Sequence, residues 1–374
     1  MKLLSLRTKS FRNLDSVAVS WTPASNLVLG ANGAGKSNLL EAVAVLGTLR
    51  SFRGASSAEM AGVGERSWTL SGTVESATGC LELEQIVEVG PPMRRRLLLN
   101  GRPVSPESYL LVFPAFSLSA SDRELVVGSP EQRRSFLDRL AFLLSPAAYA
   151  ELNLFSRLLW QRNAALVGCV ADPELTVWEE QLAQAAATVV ARRAATTARL
   201  AVTFGELYSL LRSPDAPTLT LEYRAEPWWR GDGGTAGAAE QYREQLRLGR
   251  ERDRTLGSTS KGPHRHDLQL QAARRPLRGF LSSGQIKAVA AALRFAALAE
   301  AERARGERLP LIIDEVDDEL DPEALRRLMG AVAGERQLFV ASSHGEPVAD
   351  LLEPTGRVWL RRGRSNATGC GDPQ

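Results

Sequence analysis

Residues 30–37 read Gly-Ala-Asn-Gly-Ala-Gly-Lys-Ser and match the phosphate-binding loop pattern Gly-x4-Gly-Lys-Ser/Thr. The short apolar run at residues 26–30 is typical of a buried strand, and residues 38–46 continue as a helix. An accidental match has a chance of roughly one or two in a hundred for a chain of this length, and the flanking strand and helix lower it further. The sequence therefore predicts an α/β domain organised around this loop.

Each residue type in the loop has a physical reason to be there. Glycines allow the tight turns that aim backbone N–H groups and the helix N-terminus at an anion. Lys36 is expected to reach the outer phosphates, and the Ser37 hydroxyl is expected to hold Mg²⁺. We predict an ATP or GTP site whose binding residues are Gly30, Ala31, Asn32, Gly33, Ala34, Gly35, Lys36 and Ser37.

Composition is that of an ordinary globular protein. The 374 residues suggest two or three structural units, with 44% hydrophobic and 24% charged residues. No apolar stretch approaches the roughly 18 residues of a membrane span, and the N-terminus lacks a signal-peptide core, so we expect a cytoplasmic protein without a membrane partner. The three scattered cysteines have no metal-ligand spacing. A net charge of +3 does not by itself indicate nucleic-acid binding.

The chain divides by composition into three regions. Residues 1–122 contain alternating strand patterns, including a hairpin with an Asn-Gly turn at 94–102, which predict an antiparallel β subdomain beside the phosphate loop. Residues 123–249 are rich in helical patterns and contain 14 Arg, no Lys and 15 acidic residues, so this predicted helical insertion is nearly neutral. The Trp228-Trp229 pair is expected to pack rather than to stack on bases. Residues 250–374 complete the first domain and end in a predicted mobile tail from about residue 362.

The third region contains a second acidic motif. Residues 309–315 form a continuous apolar run that ends in Asp314 and Glu315, as expected of a central parallel strand whose carboxyl end meets the phosphate site. We predict that Asp314 holds Mg²⁺ and that Glu315 polarises the attacking water. The alternative is that both acids only cap the following turn.

Residues 281–285, Leu-Ser-Ser-Gly-Gln, precede a helical stripe of apolar residues at 286–298. Small hydroxyl residues and glycine at a helix N-terminus can bind an anion, although a simple N-cap explains the serines equally well. The predicted binding residues here are Ser282, Ser283, Gly284 and Gln285.

The order of these motifs is similar to that of ATP-binding-cassette ATPases. Phosphate loop, Leu-Ser-x-Gly-Gln, apolar-Asp-Glu and a strand followed by Ser-Ser-His344 occur in that order. This resemblance implies that His344 contacts the γ-phosphate, together with Glu315 as the second catalytic residue.

A narrower resemblance covers nearly the whole chain. It is to the RecF family of DNA repair ATPases and is carried by residues 10–15 (Ser-Phe-Arg-Asn-Leu-Asp), 49–53, 99–101, 128–138 and 262–268 (Gly-Pro-His-Arg-His-Asp-Leu). It implies an ATP-binding-cassette type head with a mixed sheet, an antiparallel β subdomain and an inserted helical lobe. It also implies an ATP- and Mg²⁺-dependent homodimer with weak ATPase activity. The implied partners are single- and double-stranded DNA at gaps or junctions, RecO, RecR and, indirectly, RecA. Dimerisation is expected to bring two copies of any Arg-bearing surface, such as Arg94–Arg96, into one groove for DNA.

Some positions depart from the family pattern. Ile286 stands where the family has a second glutamine, Glu315 stands where it has aspartate, and residues 114–118 replace its Pro-Glu-Asp-Leu segment. These departures leave open a divergent paralogue or another SMC-like ATPase. A transporter's nucleotide-binding subunit is a further alternative, but the separation of Ser37 from Leu281 is too long for its short helical subdomain. A nuclease of the overcoming-lysogeny type would need an acidic metal cluster after His344, and the sequence shows none.

Overall fold

The computed structural model describes most of the chain in two units. One unit comprises Met1–Arg123, Leu210–Ser213 and Ser282–Gln374, and the second comprises Glu124–Ser209 and Pro214–Leu281. The described residues are 1–76, 79–212, 215–229, 234–272, 275–276, 281–314, 323, 326–327, 330, 336–342, 356–361 and 364–368.

Strands and helices are numbered in chain order. The N-terminal elements are β1 (Lys2–Phe11), β2 (Leu14–Ser20), β3 (Ser25–Leu29), α1 (Lys36–Thr48), β4 (Ser67–Ser76), β5 (Gly79–Glu88), β6 (Arg94–Leu99), β7 (Arg102–Pro103), α2 (Pro106–Leu110) and β8 (Phe116–Leu118). The middle elements are α3 (Glu124–Val127), α4 (Pro130–Leu144), α5 (Ala147–Val167), α6 (Asp172–Leu211), β9 (Leu219–Arg224), α7 (Gly234–Leu248), α8 (Arg250–Leu256), β10 (Asp267–Ala272) and β11 (Arg275–Pro276). The C-terminal elements are α9 (Ser283–Arg305), β12 (Leu311–Ile313), β13 (Leu338–Ala341), β14 (Gly356–Arg361) and β15 (Arg364–Thr368).

An antiparallel sheet forms one layer of the first unit, in the order β2-β1-β4-β5-β6-β7. Burial alternates along its strands, so one face packs on the core and the other meets solvent. The predicted Asn-Gly hairpin is confirmed, because Asn100 and Gly101 join β6 to β7 with φ of 50° and 74°.

A second sheet carries the phosphate-loop strand in its middle. Its order is β15-β14-β3-β13-β12-β8, and every neighbouring pair is parallel except β14 with β15. Helix α1 is buried along most of its length in one cluster that contains residues of both sheets, including Leu6, Leu70 and Phe339. The mixed sheet, antiparallel subdomain and apolar β12 strand agree with the fold class predicted from the sequence.

The C-terminal prediction was partly wrong. Residues 364–368 form β15, which pairs with β14 from Arg357↔Thr368 to Arg361↔Arg364, rather than a mobile tail. β14 would otherwise present an unpaired edge, and the chain reverses to cover it.

The second unit combines helices with a small sheet. Helix α6 is 40 residues long, and three strands pair antiparallel in the order β11-β10-β9. Trp228 packs edge-on against Tyr242, with ring centroids 4.8 Å apart, which confirms that the tryptophan pair contributes to packing. The unit ends at Leu281, whereas the sequence division lay at residue 249, because α8 and β10 pack within it.

Buried charges tie the helices of the second unit together. The Arg162 side chain is fully buried and donates to Asp253 Oδ2 at 2.7 Å and Glu179 Oε1 at 3.0 Å. Both carboxylates have side chains only 2% exposed, and Glu179 also accepts from Arg250 at 2.7 Å. Arg162 therefore neutralises two carboxylates from different helices.

Arg162→Met is expected to destabilise the protein, because it leaves two buried carboxylates without their shared cation. Breaking a buried pair in this way costs about 3–5 kcal/mol. Arg243→Met, which removes an exposed i,i+3 pair with Glu240, serves as the matched control and should cost below ~1 kcal/mol. Urea unfolding followed by tryptophan fluorescence measures both, and equal midpoints for the two variants would contradict the structural role of Arg162.

Candidate functional site

The phosphate loop leaves β3 and enters α1 through glycines with left-handed backbone. Gly30, Gly33 and Gly35 have φ of 154°, 79° and 105°. A Cβ at Gly30 would lie 2.6 Å from Leu360 O, and one at Gly35 would lie 2.8 Å from Asn13 Oδ1. The loop conformation therefore excludes side chains at both positions.

The Lys36 side chain folds back onto the backbone at the start of the loop. Its side chain is nearly buried, and Nζ donates to Gly30 O at 2.8 Å and to Ala31 O at 3.4 Å. Ser37 follows in the first turn of α1 and is half-buried. An ammonium group, a helix N-terminus and a hydroxyl thus occupy one short segment, and this donor set suits the phosphates of a nucleotide with its Mg²⁺.

The parallel sheet brings Asp314 to the same edge as the loop. Pairing runs from Val28 to Ala341 and from Val340 to Ile313, so β3, β13 and β12 end side by side. Asp314 is 6% exposed, and its backbone N–H donates to Leu118 O at 3.0 Å. Two strand spacings, about 10 Å, separate β3 from β12. A carboxylate at this edge fits the predicted Mg²⁺ role, whereas Glu315 and His344 lie outside the described residues.

Sequence reasoning missed the ion pair that anchors α1. Arg12 donates through Nε and Nη2 to both carboxylate oxygens of Glu41 at 2.9 Å, and Glu41 is fully buried. The Ser51 hydroxyl also donates to Glu41. A bidentate pair fixes orientation as well as charge. It fastens the β1–β2 turn and the segment after α1 to the phosphate-loop helix, and the arginine in residues 10–15 was the available signal.

A second set of polar contacts borders the loop. Asn38 donates to Asn13 Oδ1 at 2.8 Å, and Arg53 donates to Asn38 Oδ1 at 2.9 Å. Asn13 in turn reaches Gly33 O at 3.5 Å. Two of the segments that carry the family resemblance, residues 10–15 and 49–53, therefore meet beside the phosphate loop.

The predicted signature residues form the N-terminus of α9. Ser282 Oγ accepts from Gln285 N at 3.3 Å, and Gln285 Oε1 accepts from Ser282 N at 2.9 Å, which completes a capping box. The N-cap alternative is thus confirmed for Ser282. Ser283 and Gly284 remain exposed at this helix end.

Further along, α9 is tied to the end of β8 by a buried carboxylate. Arg294 Nε donates to Asp122 Oδ1 at 2.6 Å, and Asp122 Oδ2 accepts from Ser119 N at 2.9 Å. Burial raises the pKa of Asp122, while Arg294 opposes that shift. This contact has no short-range sequence signal, because the partners are 172 residues apart.

Two of the other three family segments meet in the second unit. Arg133 makes a bidentate pair with Asp267 at 2.8 and 2.9 Å, and Arg134 donates to His266 O at 2.7 Å. Arg193 donates through Nε to Asp138 Oδ1 at 2.6 Å and through Nη1 to Pro263 O at 2.6 Å. Residues 128–138 and 262–268 therefore organise the fold of this unit.

His266 lies in a buried polar cluster beside these pairs. Its Nδ1 is 2.6 Å from Tyr223 Oη, and its Nε2 contacts Glu226, which also accepts from Gly262 N at 2.6 Å. Burial acts to raise the pKa of Glu226, but the hydrogen bond and electrostatic interaction with His266, together with the hydrogen bond from Gly262 N, outweigh burial, so this pKa lies below its ordinary value. Burial raises the pKa of Tyr242, whose hydroxyl donates to Glu226 at 3.1 Å.

The phosphate loop, the buried carboxylate strand and the antiparallel subdomain define an SMC-type nucleotide-binding head. The family model described as "RecF/RecN/SMC N terminal domain" matches residues 2–364. The chain is 36% identical over 356 residues to "DNA replication and repair protein RecF" of Anaeromyxobacter sp. strain Fw109-5, covering 95% of this chain and 94% of the relative. It is 34% identical over 371 residues to the protein of the same name from Acidothermus cellulolyticus, covering 96% and 97%.

The chain therefore belongs to the RecF family, and the transporter alternative is dropped. Its fold is similar to "Structure of the recombination mediator protein RecF-ATP in RecFOR pathway", with a TM-score of 0.87, 23% identity and coverage of 98% and 99%. An SMC head, described as "Crystal structure of the SmcHead bound to the C-winged helix domain of ScpA", aligns with a TM-score of 0.56, 15% identity and coverage of 98% and 97%.

None of the helices that the structure describes combines the length and the apolar composition of a membrane span. No group of three or more His, Cys, Asp or Glu side chains within the described ranges could hold a metal ion.

Lys36→Ala is expected to weaken binding of ATP with Mg²⁺ by at least about tenfold, since it removes a cation whose hydrogen bonds to charged groups contribute roughly 1.5–3 kcal/mol. Lys9→Ala, at an exposed position of β1, is the matched control. Isothermal titration calorimetry measures affinity, and circular dichroism checks folding. Wild-type affinity in a folded Lys36→Ala protein would contradict the assignment of the loop.

Proposed function

We propose that this protein is an ATP-dependent DNA-binding protein of recombinational repair. The observation that carries the proposal is the phosphate loop, whose glycine backbone, Lys36 and Ser37 suit a bound nucleotide, in a chain of the RecF family. The RecF names of the relatives and the ATP of the similar solved structure support the choice of nucleotide and of DNA repair.

Magnesium would be held by Ser37, in the first turn of α1, and by Asp314, directly after β12. When bound there, Mg²⁺ would supply positive charge that offsets the negative charge of the phosphates. Glu315 would orient the attacking water and His344 would contact the γ-phosphate, as proposed from the motif order. Hydrolysis is expected to be slow and to end the DNA-bound state.

The exposed N-terminus of α9 supports an ATP-dependent homodimer. Its capping box pairs Ser282 with Gln285 through reciprocal hydrogen bonds, while Ser283 and Gly284 are exposed. Small residues at a positive helix terminus allow a phosphate to approach closely. In the cassette arrangement this end would meet the nucleotide of a second chain, so two chains would enclose two ATP molecules in an isologous interface.

The proposed ligand of that dimer is DNA, at gaps or junctions between single- and double-stranded segments. A chain with a net charge of +3 should bind DNA weakly as a monomer at physiological salt, and dimerisation would double its cationic contacts. RecR and RecO are the proposed protein partners, with RecA loading as the indirect result. The cytoplasm is the proposed compartment.

Ser283→Arg should prevent ATP-dependent dimerisation, because a long cation at the exposed helix end blocks the approach of a second chain. ATP binding by the monomer should persist. Ala304→Arg, at an exposed position near the C-terminal end of the same helix, is the matched control and should dimerise normally. Light scattering with ATP, with ADP and without nucleotide measures the association. If Ser283→Arg formed the same ATP-dependent dimer, the proposed role of the α9 N-terminus in dimerisation would be wrong.

Glu315→Gln should slow ATP hydrolysis and prolong the dimer, because an amide is a poorer acceptor for the proton of the attacking water. Phosphate release and dimer lifetime are measured on the same preparation. Unchanged ATP turnover in Glu315→Gln would mean that another residue orients the attacking water.

A further inference from the structure

The solvent face of the antiparallel sheet has an unusual composition across β2, β1 and β4. We name it the hydroxyl face. Apart from Arg7 and Lys9, it carries only small side chains, and most of these have hydroxyl groups. Ser5 Oγ donates to Thr73 Oγ1 at 3.1 Å. The strand registers place Ser16, Lys9 and Thr69 in one cross-strand row and Ala18, Arg7 and Ser71 in the next. The hydroxyl face consists of Ser5, Arg7, Lys9, Ser16, Ala18, Ser20, Thr69, Ser71 and Thr73.

Its charge is positive. Arg7 and Lys9 are exposed and form no ion pair with any described residue. No carboxylate stands within the hydroxyl face itself. Asp15 and Glu75 lie at its ends, where Glu75 is the register partner of Lys2.

A row of carboxylates limits the hydroxyl face on one side. The solvent-facing residues of β5 next to it include Glu82, Glu84 and Glu88, which stand opposite Thr73, Ser71 and Ser67 in the register. An anion that meets Arg7 and Lys9 would therefore be repelled from the β5 side. The area that attracts an anion is therefore limited to the solvent face of β2, β1 and β4.

The sequence had suggested Arg94–Arg96 as a DNA surface, and the structure argues against it. Arg95 points inward, where it donates to Ser57 Oγ at 2.8 Å and to Leu49 O at 3.2 Å, and burial lowers its pKa. Arg94 and Arg96 are exposed but adjoin Glu88, which is 3.9 Å from Arg96. Their charge is partly cancelled.

We infer that the hydroxyl face binds the phosphodiester backbone of nucleic acid. This inference rests on the proposed function, since it assigns the DNA contact of the same protein to particular residues. Arg and Lys together with Ser and Thr hydroxyls are the side chains that contact phosphate oxygens. Arg7 and Lys9 are two residues apart on one strand, about 7 Å, which is close to twice the roughly 3.4 Å rise per phosphate of a DNA strand.

The small side chains favour this occupant over a protein partner. Protein interfaces depend on large aromatic and arginine anchors that fill pockets. None of the exposed large hydrophobic residues of the described chain lies on β1, β2 or β4. A flat polar surface can instead follow a regular backbone without reading bases.

The test uses the full chain with ATP and Mg²⁺ and a fluorescein-labelled gapped duplex, followed by fluorescence anisotropy from 50 to 200 mM KCl. Arg7→Glu combined with Lys9→Glu should weaken binding at least about tenfold and reduce the slope of log affinity against log salt by about 2, one unit for each lost phosphate contact. Arg94→Glu combined with Arg96→Glu is the matched control and should change affinity less than about threefold.

Ser71→Glu provides an independent variant, because it puts a carboxylate in the centre of the hydroxyl face while keeping both cations. It should also weaken DNA binding, with ATP affinity unchanged in all variants. Wild-type DNA affinity in both the cation variant and Ser71→Glu would overturn the inference and leave the proposed function standing. Failure of the wild-type protein to bind DNA in any nucleotide state would overturn both.

Discussion

The first unit depends on a backbone constraint: residues 30–37 must turn through three glycines with positive φ while they connect a buried strand to a buried helix. Such a turn is held only if both of its ends are fixed. β3 is fixed by pairing with β13 and β14, and α1 is fixed by packing and by the Arg12–Glu41 pair. The two sheets and the ion pair thus share one task, which is to keep the loop N–H groups and Lys36 in position.

The second unit uses buried charge for a different purpose. Arg162, Arg193 and Arg133 each join segments that are far apart in sequence, and each guanidinium meets at least one carboxylate. Guanidinium groups suit this role because they stay charged and donate in a fixed planar arrangement. The family segments 128–138 and 262–268 therefore matter for folding here, since Arg133, Arg134 and Arg193 join them within this unit.

The local features of the fold could be predicted from the sequence, because strand, glycine loop and helix each have a short-range signal. The capping box at Ser282 and the Asn-Gly hairpin are of the same kind. Contacts such as Arg12 with Glu41 or Arg294 with Asp122 have no such signal, since partner choice depends on how distant segments pack. The inward turn of Arg95 had one available clue, because three successive strand residues cannot all face solvent. Strand β15 was missed because its composition resembles a tail, while its backbone pairs with β14.

The order of segments along the chain has a consequence for synthesis. β3 and β8 precede the second unit, whereas β12, β13 and β14 follow it, and Asn26 bonds a carbonyl 312 residues away. The parallel sheet cannot close until nearly the whole chain has left the ribosome, while all segments of the second unit are available by Leu281. Units generally fold as their sequence emerges, and distant pairings form slowly. During translation the N-terminal antiparallel strands and the second unit would therefore form before the parallel sheet is complete, and the nucleotide loop would reach its working shape only once β13 and β14 pair with β3.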